Sequence, residues 1–191
     1  KIAIISNSNP MWGISDFAIA SIGAVSVPIY PTTPSEQVDY IINNTDVTTA
    51  IVEDEKQVEK LVNGNSALEN IIIMYPRGDF YPSENYFAFS MVENFGKDRH
   101  DVSWEQNWSN LDKENLLTII NTSGTTGKPK GAMLTHGNIL ANIEGVQFWL
   151  VELLPEDVTL SYLPISHVFE RLAGHFLPLS IGSTIGYAEN I

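Results

Sequence analysis

Hydrophobic residues fall into short continuous runs separated by longer stretches in which apolar positions recur at helical spacing. Ile2 to Ile5 is the first run, and the lack of any polar side chain within it predicts a strand covered on both faces. Pro10 to Ile22 reads as a largely apolar helix ending near Gly23, and Val25 to Ile29 as the next strand. Thr33-Pro34-Ser35-Glu36 has the form of a capping box with proline at the first helical position, and Val38, Ile41, Ile42 and Thr45 behind it share one helix face. Ala50 to Val52 gives a third strand, Glu55 to Val62 a polar helix and Ile71 to Met74 a fourth strand. Buried strands alternating with helices at this interval imply parallel βαβ units.

From Gly96 to Asn115 the chain turns polar. Trp104 and Trp108, one helical turn apart, read as anchors that pin a surface crossing to the body. Leu116 to Ile120 is again a continuous apolar run, Ala132 to Thr135 is short and extended, and a helix begins near Thr135-His136-Gly137-Asn138. Ile139, Ile143, Val146 and Leu150 form its buried stripe, and His136 belongs to its entry rather than to proton transfer. Val158 to Leu163 is a strand, Val168 to Leu179 a helix and Ser183 to Tyr187 a strand. The expected fold class is therefore α/β, with parallel, doubly wound sheets flanked by helices. Residues 1–96 form a first α/β segment, 97–115 the polar crossing and 116–191 a second α/β segment, all within one domain.

Composition narrows the function classes. A chain of 191 residues can bury roughly 70 % of its unfolded surface. With 10 Lys+Arg against 23 Asp+Glu, its net charge of -13 argues against nucleic acid as a partner, since a backbone binder needs a broad basic face. The absence of cysteine removes disulfides, thiolate zinc sites and a catalytic thiol, and fits a reducing cytosol. Phe17 to Tyr30, the longest weakly polar stretch, is short and contains Pro28, so no transmembrane segment is expected. The chain starts at Lys1 without an initiator methionine and reads as a piece of a longer protein.

Against this acidic background, residues 121–131 stand out: N-T-S-G-T-T-G-K-P-K-G. Thr122, Ser123, Thr125 and Thr126 supply hydroxyls, and Lys128 and Lys130 supply positive charge with no carboxylate nearby in sequence. Gly124, Gly127 and Gly131 permit a backbone whose N–H groups approach a ligand closely. Following a β-branched strand, these are the parts of a phosphate cradle. A Walker-A loop is excluded by spacing. That motif is G-x-x-x-x-G-K-[ST], whereas here only Thr125 and Thr126 separate Gly124 from Gly127-Lys128, and Pro129 follows.

The stretch resembles the phosphate-binding signature of the adenylate-forming (AMP-binding) superfamily, Y-T-S-G-T-T-G-x-P-K-G, departing only at Asn121, where a tyrosine is common. A second stretch, L-P-I-S-H-V-F-E-R at 163–171, resembles the superfamily's second signature in the form found in the long-chain fatty acyl-CoA synthetase branch. The words K-I-A-I-I-S-N-S-N-P-M-W, I-G-A-V-S-V-P-I-Y-P-T and S-E-Q-V-D-Y-I-I-N-N resemble the start of those synthetases. The resemblance covers nearly the whole chain but only the front part of the family's large N-terminal domain.

The resemblance implies an ATP-dependent ligase that activates a long-chain fatty acid to acyl-adenylate and passes it to coenzyme A. Loop 122–131 would hold the β- and γ-phosphates, with Lys128 and Lys130 as cations, and Thr122 matches the family's Mg2+ ligand. His167 would orient the carboxylate. The family's Y-G-x-T-E motif and distal lysine are not in this chain, so the 191 residues alone are expected to be inactive and to associate with themselves. Some bacterial relatives carry a gating tryptophan where this chain has Arg171. Two alternatives stand beside the ligase: a non-catalytic nucleotide- or acyl-binding module, and a fatty acyl-AMP ligase or adenylation domain with another acceptor. The expected location is cytoplasmic, with room for peripheral membrane contact.

Overall fold

The computed structural model describes residues 1–62, 68–78, 84–97, 99, 102–122, 128–149 and 153–188. Strands β1 (Ile2–Ile5), β2 (Ser26–Ile29), β3 (Thr49–Val52), β4 (Asn70–Ile73), β5 (Tyr86–Ala88), β6 (Leu116–Thr122) and β7 (Lys130–Thr135) form one sheet in the order β5-β4-β3-β1-β2-β6-β7. Neighbours are parallel except β6 and β7.

Alternate residues of the central strands pack to opposite faces, as the unbroken apolar runs require. Ala3 and Ile5 of β1 pack with Val38, Ile41 and Ile42 of helix α2 (Ser35–Thr45) and with Leu61 of α3 (Glu55–Val62). Ile4 packs the other way, with Trp12 and Ile19 of α1 (Pro10–Ser21). Burying Ile4 and Ile19 contributes roughly 1.5–3 kcal/mol each. Helix α1 starts cleanly: the Asn9 side chain accepts from Trp12 N at 2.9 Å and Pro10 sits in the first turn.

The start of α2 differs from the capping-box reading. Pro34 occupies the N-cap position in extended backbone, Ser35 is the first helical residue and no side-chain cap bond forms. Proline is tolerated there because the first helical N–H groups have no partner within the helix. Downstream of β5 come α4 (Phe89–Lys97) and α5 (Val102–Ser109), so the polar crossing is itself partly helical. Trp104 and Trp108 remain about half exposed, with Trp104 Nε1 donating to Ser21 Oγ at 3.1 Å as the tie to α1.

The sheet continues across the crossing, because β6 pairs with β2. Only residues 123–129 separate β6 from β7, too few for the dozen or so that a parallel crossover needs. The pair is accordingly an antiparallel hairpin, the one departure from a parallel sheet. A β-bulge between Leu116 and Thr118 re-aims this strand: Leu116 packs with the α2 side, while Leu117 joins a third cluster with Ile139 and Ile143 of α6 (His136–Trp149).

Strand β8 (Val158–Ser161) pairs in parallel with β9 (Thr184–Tyr187) in a separate two-stranded sheet. The helix expected over 168–179 has three parts. A short α7 (Val168–Glu170) opens into a π-helical turn, Arg171–Phe176, and then tightens into α8 (Leu177–Ile181). Among the described residues no helix is long and apolar enough to cross a membrane.

Candidate active site

A cavity of about 470 Å³ lies at the carboxyl ends of β2 and β6, walled by Ile29, Tyr30, Asn121, Thr122, Pro129 and His167 among others. In α/β sheets this is the end at which ligands collect. Tyr30 and Thr33 come from the turn after β2, closed by a Thr33 N to Tyr30 O bond of 3.0 Å. Burial pushes the Tyr30 hydroxyl above its usual pKa, so at neutral pH it is a protonated donor.

Thr122, the last residue of β6, is exposed at the cavity wall, and its Oγ1 donates a long 3.3 Å bond to Lys130 O. The side-chain amide nitrogen of its neighbour Asn121 is buried without a hydrogen-bond partner among the described residues. An orphaned donor beside a cavity costs roughly 1–3 kcal/mol unless something occupies the space opposite.

His167 enters from the far side. Ser8 fixes the loop leading to it, its Oγ donating to Leu163 O and accepting from Ile165 N, both at 2.9 Å. His167 N then donates to Pro164 O at 2.9 Å, and the His167 ring caps α7 by accepting from Phe169 N at Nδ1, 3.2 Å. With Nδ1 accepting, the neutral ring carries its proton on Nε2 and can donate it to an anionic oxygen.

Thr122 and His167 therefore line one cavity. Ser123, Gly124, Thr125, Thr126 and Gly127 lie outside the described residues. Lys128 is exposed, and its ammonium lies 5.4 Å from the centre of the Tyr40 ring on α2, a cation–π contact away from the cavity wall. Lys130 is exposed at the start of β7, paired with Thr122. Gly131 pairs with Asn121, and a Cβ there would sit 2.6 Å from Ile119 Cγ2, so close strand packing also calls for glycine.

For Mg2+, the wall formed by the end of β6 offers Thr122 Oγ1, and the described residues hold no group of three or more carboxylates or histidines. That fits an ion arriving with phosphates and keeping much of its water, rather than one held in a protein cage.

Sequence reasoning missed the buried charges beneath this site. Arg171 and Asp16 are 2 % and 1 % exposed, and His175 is 0 % exposed with its Nε2 3.5 Å from Asp16 Oδ2. Burial alone would raise the Asp16 pKa, but the Arg171 guanidinium and His175 outweigh it and hold the carboxyl below its usual range. The one sequence signal was a carboxylate on the same face of α1 as Trp12 and Ile19.

Comparison with known proteins decides the family. The model of the AMP-binding enzyme family matches residues 1–191. The chain belongs to the AMP-binding enzymes. Among curated AMP-binding relatives, long-chain-fatty-acid–CoA ligase 5 of Rattus norvegicus is 35 % identical over 203 residues, covering 98 % of this chain and 29 % of that protein. Fatty acyl-CoA synthetase A of Dictyostelium discoideum is 33 % identical, covering 100 % and 29 %. The chain thus spans under a third of these relatives' length. Among solved structures, the red-emitting luciferase of Phrixothrix hirtus superposes with a TM-score of 0.78 at 17 % identity, covering 100 % of this chain and 36 % of that one. The N-terminal domain of FACL13 from Mycobacterium tuberculosis gives 0.75 at 16 %, covering 100 % and 44 %. These two likenesses speak for the fold alone.

Proposed function

We propose that this chain is the front part of an AMP-forming long-chain fatty acid–CoA ligase. The observation that carries the reading is the convergence of Thr122, from the hydroxyl- and lysine-rich loop, and His167, from the second motif, on one cavity. A carboxylate oxygen forms a bond to the α-phosphorus of ATP while the bridging bond to the β-phosphate breaks, releasing pyrophosphate. The thiol of coenzyme A then replaces AMP at the acyl carbon.

Two anions must approach each other in the first step, so charge neutralisation is the main demand on the protein. His167 meets it with its Nε2 proton directed at an anionic oxygen. Thr122 lends its hydroxyl, and Lys128 serves as a cation once released from Tyr40, with Lys130 beside it. Ser123 to Gly127 and Gly131 complete the cradle with backbone N–H groups. Mg2+, when bound with ATP, would take Thr122 Oγ1 as one ligand and neutralise phosphate charge. The two α/β segments and the crossing at 97–115 act as one domain, working in the cytoplasm with peripheral access to membrane-borne acids.

ATP–pyrophosphate exchange by the full-length protein across a series of carboxylic acids tests the reading. Exchange with long-chain acids, followed by thioester formation with coenzyme A, is expected. No exchange with any acid would leave a nucleotide- or acyl-binding module, and exchange without thioester would point to another acceptor. Residues 1–191 alone are expected to form no acyl-CoA.

A further inference from the structure

Arg171 directs four hydrogen bonds from its donor fork to partners inside the protein. Nε donates to Asp16 Oδ2 at 2.9 Å and Nη2 to Asp16 Oδ1 at 2.5 Å, while Nη2 also reaches Ser26 Oγ at 2.7 Å and Nη1 reaches Thr118 Oγ1 at 2.6 Å. These partners sit on α1, β2 and β6, and Thr118 lies on the strand that ends at Thr122. The neighbouring Glu170 is also buried and accepts from Ser161 Oγ of β8 at 2.7 Å. Gly174 leaves the room this needs, since a Cβ there would collide with the Glu170 carboxylate.

Both residues lie in the turn directly behind His167, whose carbonyl accepts from Arg171 N at 3.0 Å. One ties that turn to the large sheet and the other ties it to the small one. Apolar contacts alone would let the segment rotate or slide by a fraction of an ångström at little cost. A planar fork bound to fixed partners on three elements is satisfied at one position only. Buried ion pairs are weak sources of stability compared with apolar residues of the same volume, so a role in fixing geometry suits this one better.

We propose that Arg171, seconded by Glu170, is a positioning residue that sets His167 across the cavity from Thr122. The bulge in β6 is part of the device, because it brings Thr118 to the face that Arg171 occupies. The catalytic meaning of the placement rests on the adenylation reading above; the placement itself does not.

The test compares Arg171→Lys, Thr118→Val, His167→Ala and the double variant His167→Ala/Arg171→Lys in the full-length protein, by single-turnover acyl-adenylate formation and KM for ATP. Arg171→Lys keeps the charge but not the fork, and misplacing His167 by about 1 Å should lower kcat on the order of 10²-fold with KM for ATP little changed. The double variant should match His167→Ala to within about twofold, because Arg171 acts through that ring. Losses that multiply in the double variant, or a fall in kcat that merely follows the unfolded fraction, would overturn the proposal. Should Arg171→Lys fail to fold, Thr118→Val removes the hydroxyl that accepts from Arg171 Nη1 and donates to Ser26 O, with little change of shape, and should lower kcat about tenfold; an unchanged kcat overturns the proposal equally. The His167 ring resonances give a readout independent of activity. They should move in Thr118→Val, and if they stay put the proposal fails even where the wild type activates no carboxylic acid, a result that by itself would sink only the adenylation reading.

Discussion

Thr122 and His167 line the same cavity although β7, α6 and β8 lie between them in the chain. One ends a strand of the large sheet; the other opens the helical segment after the small sheet. Their meeting puts a hydroxyl on one wall of the cavity and an imidazole on the other.

On the proposed reading His167 has two separable duties. His167→Ala in the full-length protein should slow adenylate formation about 10²- to 10³-fold, the usual loss for one transition-state donor. It should also remove the cap on α7, for roughly 0.5–2 kcal/mol. His167→Asn restores a capping acceptor, so thermal unfolding should recover while single-turnover rates do not.

Thr122→Ala and Lys128→Ala should each slow adenylation more than they weaken binding of the fatty acid, again on the order of 10²-fold. Equilibrium binding of a labelled acid alongside rapid-quench kinetics separates the two effects. Full single-turnover rates in both variants would remove these residues from the reaction.

Gly131→Ala puts a methyl group into the space held by Ile119. Overpacking of this kind typically costs about 1–3 kcal/mol. A lowered urea midpoint at constant slope is the expected result, and wild-type stability would show that β7 can move away.

Asp16 gives a pH dependence of definite sign. Its folded pKa lies below the unfolded value of about 3.9, so its contribution to stability is complete above that value and is lost as pH falls through the folded pKa. In that acid window the unfolded chain binds the extra proton and stability falls with pH. Urea midpoints measured down from neutral pH should drop less steeply for Asp16→Asn, which starts from lower stability but has no such proton to gain. Parallel curves for the two proteins would mean that Asp16 does not drive acid unfolding.

Residues 2–5, 26–29 and 49–52 were legible as strands because a strand covered on both faces leaves a local mark, an unbroken apolar run. The spacing of Val38, Ile41 and Ile42 was legible as a helix face for a similar reason, and the two signature stretches singled out a glycine-rich loop and a histidine before any geometry was known. Those features depend on near neighbours in the chain. What only the tertiary structure decided depends on partners far away: that β6 joins β2, that β7 turns back antiparallel, and that the π-helical turn interrupts the last helical segment. Asp16 and Arg171 are the sharpest case. In sequence Asp16 is a lone charge in an apolar stretch and Arg171 stands beside Glu170, and burying either charge unpaired would be prohibitive. Their burial becomes possible only when folding brings carboxylate and guanidinium together with Thr118 and Ser26, a condition no local pattern encodes.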